Sequence, residues 1–446
     1  MGTSFTFIIE VICVIGNVAM WLGPLSQALR KGMFNIFHPQ FIMPCWIVYF
    51  ILNTMMQKWL LWIPVAPGYG MLRTTNEALL FEPTYLILPL LITAICAPFY
   101  HLGVRSMAGV IYRSPDGILL NRFKRVVQKG QEAPFLGIGV IIAGVLWMPN
   151  YFLPNEEFGT FWTYPIAMTV ASLSFMIFCI NKYVGVVSSL FVIITSLVLR
   201  SKASFVYPLL PIFVYYASRL EIRKSMVWTI IVIFPVLWAL SLGFENDLNS
   251  TIVQVLHRDY SFETFAALVD QSSVLGMRDG PYSSWMLAEI LEGIPSILFP
   301  FKSSGLYYNP SKQVALCFLM RDYQSLPNAY FSRFFLFSGY YDLGILGAAL
   351  NALGCGAFLG WCWSRTKQEV IKHGYLWPIF LYIPIVTVTV YFIASGAIAY
   401  GLINGLIPTF LILVIFGISR LLMRSIPGSL SRVTTGNVVA QREKEF

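Results

Sequence analysis

Apolar runs of about twenty residues recur along almost the whole chain, and they restrict its fold more than any other feature. A run of that length crosses the hydrocarbon core of a bilayer as an α-helix, which satisfies its own backbone hydrogen bonds. Of the 446 residues, 57% are hydrophobic and 11% are charged, whereas soluble domains carry about 25% charged residues. The sequence therefore predicts an all-α polytopic membrane protein. Segments of roughly ten residues with alternating polarity, which a membrane β-barrel requires, are not evident.

The apolar runs predict about eleven transmembrane helices in a chain of four parts. Residues 1–244 hold about eight spans, residues 245–333 form one long polar loop, residues 334–424 hold about three spans, and residues 425–446 form a polar tail. The first apolar run lacks a convincing cleavage site, so we interpret it as a span rather than a signal peptide. The predicted spans cover residues 5–25, 40–56, 84–103, 135–153, 163–180, 184–199, 204–219, 226–244, 334–361, 377–397 and 403–421.

The distribution of Lys and Arg orients these spans. Cytoplasmic loops are enriched in both residues, and an outside N-terminus places 20 of the 30 basic residues on the inner side. With six acids there, the inner segments carry +14, the outer segments carry −3, and Glu10 and Asp342, within or at the ends of spans, contribute −2. We therefore predict an outside N-terminus and a cytoplasmic C-terminus. The net charge of +9 then reflects topology and contact with anionic membrane lipids, and it does not indicate a nucleic-acid partner.

The long loop, residues 245–333, is the polar exception in an apolar chain. It holds 15 of the 51 charged residues, and its aromatic content argues against disorder. Apolar runs broken by Gly and Pro predict short interfacial helices at the membrane surface. Its aromatic residues are of the kinds that favour that interface, and we assign them there: Trp285, Phe299, Phe301, Tyr307 and Tyr308. We expect the chemistry of the protein to take place at this loop.

Five basic residues are candidates for binding an anionic group at the predicted outer face. Arg200 and Lys202 lie in a very short connection between two spans, where the positive-inside rule disfavours them. Arg258, Arg278 and Lys302 lie in the long loop. Arginine donors engage two phosphate oxygens at once, and lysine supplies a compact charge. The alternatives are contact with lipid phosphates for the first two residues, and local ion pairs for Arg258 and Arg278, each of which precedes an aspartate.

Four side chains are candidates for a general base. His257 is the loop's one histidine and has an ordinary pKa near neutral. Asp279 follows an arginine, and Glu289 has a second glutamate three residues later. Asp342 lies at the predicted outer end of a span, where acids are costly and often functional. The alternatives are a structural histidine, an ion pair and a solvated helix face, so the sequence leaves the base open. No Cys/His spacing or acidic cluster predicts a metal or another cofactor.

The ninth predicted span, residues 334–361, is rich in glycine. Small residues allow two helices to approach closely inside a membrane. We therefore expect this span to pack tightly against another helix through its glycines, which are Gly344, Gly347, Gly354, Gly356 and Gly360.

These features resemble the bacterial O-antigen (oligosaccharide repeat-unit) polymerases, the Wzy family. In that family a large outward loop precedes a span that begins with an aromatic–Gly–x–x–Gly pattern, and residues 340–347 (YYDLGILG) occupy that place. Residues 294–302 (IPSILFPFK) resemble the family's Pro-x-x-x-aromatic-Pro-x-Lys stretch, and residues 200–203 (RSKA) resemble its Ser–Arg–small turn. The resemblance covers mainly residues 184–360 and the overall topology.

The resemblance implies a GT-C-type glycosyltransferase of the bacterial inner membrane, with the N-terminus and the long loop in the periplasm. Its substrates would be oligosaccharides linked to undecaprenyl pyrophosphate, and its product would be a surface polysaccharide such as the O-antigen of lipopolysaccharide. The five basic residues would bind the pyrophosphate, and one of the four base candidates would take the acceptor proton. A chain-length regulator protein would be a further partner.

Three other classes of protein are alternatives. An O-antigen ligase shares the architecture but transfers the glycan to the lipid A core. A lipid-linked glycan transporter or flippase predicts polar residues at several span centres and an internal repeat. A non-catalytic scaffold does not require cations on the outer face.

Overall fold

The computed structural model describes residues 2–30, 38–60, 86–109, 261–270, 285–287, 333–373 and 390–396, together with positions 410 and 414. The fourth to eighth predicted spans, most of the eleventh, most of the long loop and the tail lie outside the described residues. The elements within these ranges are helices, and their bounds are α1 Gly2–Arg30, α2 Pro39–Leu60, α3 Ile87–Ala108, α4 Ser261–Asp270, α5 Phe337–His373 and α6 Val390–Ala394.

In this part of the chain, three helices are long and apolar enough to cross a membrane. They are Phe5–Gln27 within α1, Ile87–Ala108, which is α3, and Phe337–Thr366 within α5. Helix α2 is 22 residues long and overlaps the predicted span at residues 40–56. An all-helical membrane protein is therefore confirmed for the described residues, and α1, α2, α3 and α5 match four predicted spans. The total of about eleven spans stays a prediction.

Contacts between helix ends show the direction in which each helix runs. The Trp59 indole, near the end of α2, donates a 3.2 Å hydrogen bond to the Glu10 carboxylate near the start of α1. The Tyr100 hydroxyl, near the end of α3, donates a 2.7 Å hydrogen bond to the Pro39 carbonyl at the start of α2. Helix α2 is therefore antiparallel to both α1 and α3. This is the alternation expected of three consecutive spans.

Helices α3 and α5 form the most extensive contact between described elements. Gly356 lies directly against the Tyr100 backbone, and a Cβ atom on Gly360 would be 3.0 Å from the Val104 carbonyl oxygen. From the opposite side, a Cβ atom on Gly103 would be 2.7 Å from the Ala357 nitrogen. The two helices run in the same direction and touch through their backbones. The close packing predicted for the glycines of this span is confirmed at Gly356 and Gly360.

Helix α5 is interrupted near its start. Leu343 (φ −135°, ψ 15°) and Gly344 (φ 62°, ψ −144°) are not helical. Gly339 lies against the Gly347 backbone, and the Asn351 side chain donates a hydrogen bond to the Phe335 carbonyl, 16 residues away. In a straight helix, with a rise of 1.5 Å per residue, that separation would be about 24 Å. The chain before the break therefore folds back along the helix that follows it.

We call residues 333–351 the helical hairpin. Its first arm is the short helical stretch before Leu343, its tip is the break, and its second arm is the start of the long helix. The predicted span at residues 334–361 corresponds to the candidate span Phe337–Thr366, and the break within it was not predicted. The physical cause is Gly344, whose backbone conformation is open almost only to glycine, together with Gly347, whose missing side chain lets the first arm approach.

The base of the hairpin lies in the described hydrophobic core. The Phe334 ring contacts the Phe50 ring of α2 at 6.5 Å, and the Phe335 ring contacts the Trp21 ring of α1 at 5.8 Å. All four side chains are almost completely buried. The hairpin base is therefore held by α1 and α2, which are roughly 280 to 310 residues away in sequence.

The same residues cover the end of α6. The backbone N–H groups of Arg333 and Phe334 donate to the Ser395 carbonyl, at 2.7 and 3.1 Å, and that of Phe335 donates to the Ala394 carbonyl at 3.1 Å. The last carbonyls of a helix have no partner within the helix, so this pairing satisfies that of Ala394 and the carbonyl that follows it. Helix α6 lies within the predicted span at residues 377–397, and Gly396 (φ 82°) follows its end directly against Phe334.

Candidate functional site: the junction of the long loop with the helical hairpin

Two described pieces of the long loop pack against the hairpin. The first is α4, whose Phe262 and Phe265 rings contact the Phe334 ring at 5.3 and 5.5 Å. Phe265 also meets the Tyr340 ring on the first arm, at 5.7 Å. Both phenylalanines are fully buried. A short helix in the loop agrees with the sequence analysis, but its expected place on the membrane surface is wrong for α4, because its apolar side enters the protein core.

The second piece is the turn of helix at residues 285–287. The Trp285 ring lies 5.5 Å from the Phe337 ring and 5.4 Å from the Tyr341 ring, and its side chain is 4% exposed. The next two side chains, Met286 and Leu287, are exposed. Trp285 was expected to contact lipid headgroups, and this expectation is wrong. The partners that bury it are aromatic residues of the hairpin, which follow it by more than fifty positions in the sequence.

Asp342, at the tip of the hairpin, joins this turn to the hairpin. One carboxylate oxygen accepts the Trp285 backbone N–H at 2.7 Å, and the other accepts the Met286 backbone N–H at 3.0 Å. The first N–H groups of a helix lack partners within it and are commonly capped by an aspartate next to them in the chain. Here the capping carboxylate comes from 57 residues away. Asp342 therefore holds together two segments that are distant in sequence.

Asp342 is the one predicted site residue that the structure describes. Its role as a general base stays a prediction, because its observed contacts are those of a capping group. The other candidates lie outside the described residues, and so does any contact among them: Arg200, Lys202, His257, Arg258, Arg278, Asp279, Glu289 and Lys302. Among the described side chains, no group of three or more His, Cys, Asp or Glu is placed to hold a metal ion.

Arg333 is a buried cation to which the sequence analysis gave no role. Its side chain is completely buried, and its backbone N–H donates to the Ser395 carbonyl at the end of α6. One sequence signal could have drawn attention to Arg333, because it directly precedes an apolar span. A charged side chain at that place either reaches the membrane surface or enters the helix bundle.

Several polar side chains inside the spans bind the backbone of neighbouring residues. The Asn17 amide donates to the carbonyls of Cys13 and Leu90, both at 2.9 Å, and so links α1 to α3. The Thr93 hydroxyl donates to the Pro89 carbonyl at 2.8 Å. Hydrogen bonds of this kind stabilise contacts between membrane helices or occupy a carbonyl of the same helix.

The helices and their packing define a polytopic α-helical membrane protein. The sequence matches no protein-family model, and the comparisons with curated proteins and with solved structures found no match. The resemblance to the Wzy polymerases therefore depends on the loop, the glycine-containing span and the short outer turn themselves.

Proposed function

We propose that this protein is a polymerase that joins undecaprenyl-pyrophosphate-linked repeat units into a surface polysaccharide at the periplasmic face of the bacterial inner membrane. One observation carries the proposal. The long loop is docked on the hairpin through Asp342, which lies inside the aromatic–Gly–x–x–Gly stretch. Two separate features of the resemblance thus meet at a single junction, which supports a common role for them.

The proposed site would suit a lipid-linked pyrophosphate. The loop carries Arg258 three residues before α4, and Arg278 seven residues before Trp285. Both anchors are buried against the hairpin, so these cations belong to a loop that is fastened to the membrane domain. Preorganised cations stabilise the charge that develops on a departing pyrophosphate.

In the proposed reaction, a hydroxyl at the non-reducing end of one repeat unit attacks the anomeric carbon of the growing chain. A new glycosidic C–O bond forms, and the bond from that carbon to the pyrophosphate oxygen breaks. Undecaprenyl pyrophosphate leaves with the bonding electron pair, and a base takes the hydroxyl proton. The base is proposed to be among His257, Asp279, Glu289 and Asp342.

Deletion of the gene, followed by electrophoresis of the surface polysaccharide, tests this proposal. We expect long chains to disappear while single repeat units remain attached to the acceptor lipid. Complementation with Arg278→Ala is expected to restore the protein but not the long chains. Wild-type chain length in that strain would remove Arg278 from the site. Loss of the single-unit product as well would contradict polymerisation and favour a ligase or a flippase.

A transporter or flippase for lipid-linked glycans is a second candidate, and the interrupted helix α5 favours it. The base of the hairpin meets the end of α6 inside the core, and interrupted helices within a bundle are typical of transporter binding sites. Accumulation of lipid-linked repeat units on the cytoplasmic face of membranes from the deletion strain would select this candidate. Accumulation on the periplasmic face would select the polymerase.

A further inference from the structure

We propose that His101 of α3 donates the hydrogen bond that Pro24 prevents α1 from making within itself, and that this bond holds Trp21 in place beside the base of the helical hairpin. All three residues lie in described helices. The bond acts on the conformation of α1, and it is independent of the proposed enzymatic activity.

Pro24 removes one hydrogen bond from the interior of α1. Proline has no backbone N–H, so it cannot bind the carbonyl four residues earlier, and its ring crowds that carbonyl. In α1 the carbonyl concerned is that of Met20, and the backbone stays helical through this region. A backbone carbonyl inside a membrane helix needs another donor, which a neighbouring helix can supply. We therefore expect a donor from outside α1 at this place.

The imidazole of His101 meets α1 at that place. Its Nε2 atom lies 3.2 Å from the Trp21 carbonyl oxygen, and the Met20 carbonyl is a second hydrogen-bond partner of the ring. Because a carbonyl oxygen only accepts, Nε2 carries the proton and donates it. His101 is 5% exposed, so bulk water does not compete for these carbonyls. His101 thus supplies the donor that Pro24 lacks.

The other contacts of the His101 ring do not require a donor. Its second nitrogen, Nδ1, is buried and has no hydrogen-bond partner in the described part of the chain. The Trp21 and Tyr100 rings lie 6.0 and 5.6 Å from the imidazole, and Arg105 acts on it through its charge. A side chain of similar size without an N–H would keep the ring contacts, and it would leave the carbonyls of α1 without this donor.

Trp21 connects the bond to the helical hairpin. Its side chain is fully buried, and its ring lies 5.8 Å from the Phe335 ring and 5.5 Å from the Tyr100 ring. Helices bend most readily at proline, and Trp21 lies three residues before Pro24. Loss of the bond from His101 would therefore let α1 bend there and shift the ring against which the hairpin base packs.

Hydrogen exchange of the full-length protein in lipid nanodiscs, followed by mass spectrometry, tests this bond with a matched pair of variants. His101→Gln keeps an N–H donor, whereas His101→Met has nearly the same size and shape as glutamine but no donor. Loss of a neutral hydrogen bond changes an opening equilibrium by roughly two- to tenfold. We expect His101→Met to exchange faster than His101→Gln by that factor at residues 25–27, which directly follow Pro24.

Pro24→Ala provides the deciding background, because alanine restores the missing backbone N–H. In that background, we expect the difference between His101→Met and His101→Gln to disappear. Pro44→Ala restores an N–H in α2 instead, and as the control it is expected to leave the difference unchanged. Equal exchange of the two His101 variants with Pro24 present would overturn the proposed bond. A difference that persists with Pro24→Ala would overturn it as well.

The backbone amides of residues 333–335 give a second readout, at the hairpin base. We expect their exchange to be faster in His101→Met than in His101→Gln, by a smaller factor than at residues 25–27. Equal exchange there would overturn the proposed hold on the hairpin base.

Pro24→Ala alone decides the matter if the His101 variants do not fold. A proline inside a helix costs roughly a hundredfold in the folding equilibrium when nothing replaces its N–H. With His101 in place, we expect Pro24→Ala to slow exchange at residues 25–27 by less than about tenfold. A larger slowing would show that His101 does not replace the missing donor.

Discussion

The contact between α3 and α5 and the junction between the long loop and the hairpin are built in opposite ways. The first joins two regular helices that run in the same direction, and glycines bring their backbones together along several turns. The second joins short segments distant in sequence through aromatic rings and a single carboxylate. A continuous contact resists separation along its whole length, whereas a few concentrated contacts allow one piece to open alone. The contrast predicts a rigid helix pair beside a movable loop.

The largest expected effect is at the glycine contact. Gly356→Val would place side-chain atoms against the Tyr100 backbone, and backbone cannot move aside as a flexible side chain can. We expect a loss of stability of about 3 kcal/mol or more, at the upper end of overpacking effects. The fraction of monodisperse protein after heating, measured by size-exclusion chromatography, reports it.

Gly354→Val is the control for this prediction, since a Cβ atom on Gly354 would meet nothing within 4 Å. The two positions lie in the same helix two residues apart. Equal losses of stability for both variants would show that helix propensity, rather than contact with α3, determines the effect. That result would contradict the proposed rigidity of the α3–α5 pair.

The next effect is expected at Trp285. Truncation of a buried aromatic side chain typically costs about 3–5 kcal/mol, but here the loss is expected to be confined to the loop. Trp285→Ala would raise the rate of protease cleavage in the long loop by about a hundredfold. A change of about 3 kcal/mol in the free energy of loop opening corresponds to a factor of that size. The thermal stability of the helices would change little.

Met286→Ala serves as the comparison, because Met286 is adjacent to Trp285 and more exposed. It is expected to leave the cleavage rate near that of the wild type. If Trp285→Ala instead lowered the thermal stability of the whole protein, the junction would be as rigid as the glycine contact, and the difference between the two regions would disappear.

The smallest of the three effects is expected at the tip of the hairpin. Gly344→Ala adds a side chain where the backbone has φ 62° and ψ −144°, a conformation that costs other residues about 1–3 kcal/mol. Open space around this position rules out a packing clash, so strain alone sets the effect. Thermal unfolding of the purified protein measures it, with Gly354→Ala, in a regular helical position, as the control. Equal stability for the two variants would show that the tip adopts another conformation in the membrane.

The sequence analysis located the described helices well but did not reveal how they are connected in space. The predicted spans at residues 5–25, 40–56 and 84–103 correspond to α1, α2 and α3, and packing through Gly356 and Gly360 is confirmed. Repeated apolar runs and small residues at helical spacing are local patterns, so they can be identified without knowing the partner. Asp342 was selected because an acid at a span end is unusual, and its observed binding to Trp285 was not foreseen.

The misplaced features have a shared physical cause. Trp285 was assigned to the membrane surface because hydropathy measures only how strongly a side chain prefers an apolar environment to water. A membrane interface and a buried aromatic contact both satisfy that preference, so composition cannot separate them. The fold-back at Gly344 was missed because one glycine within a membrane helix is compatible with either close packing or a break.

The sequence by itself determined that this protein is helical and embedded in a membrane, since only helices satisfy the backbone of such long apolar runs within lipid. The tertiary structure alone decided that α4 and Trp285 of the long loop enter the protein core, that the chain reverses at Gly344, and that Asp342 binds Trp285. These outcomes depend on which surfaces meet across more than fifty residues of chain, and no local pattern of hydrophobicity, charge or spacing contains that information.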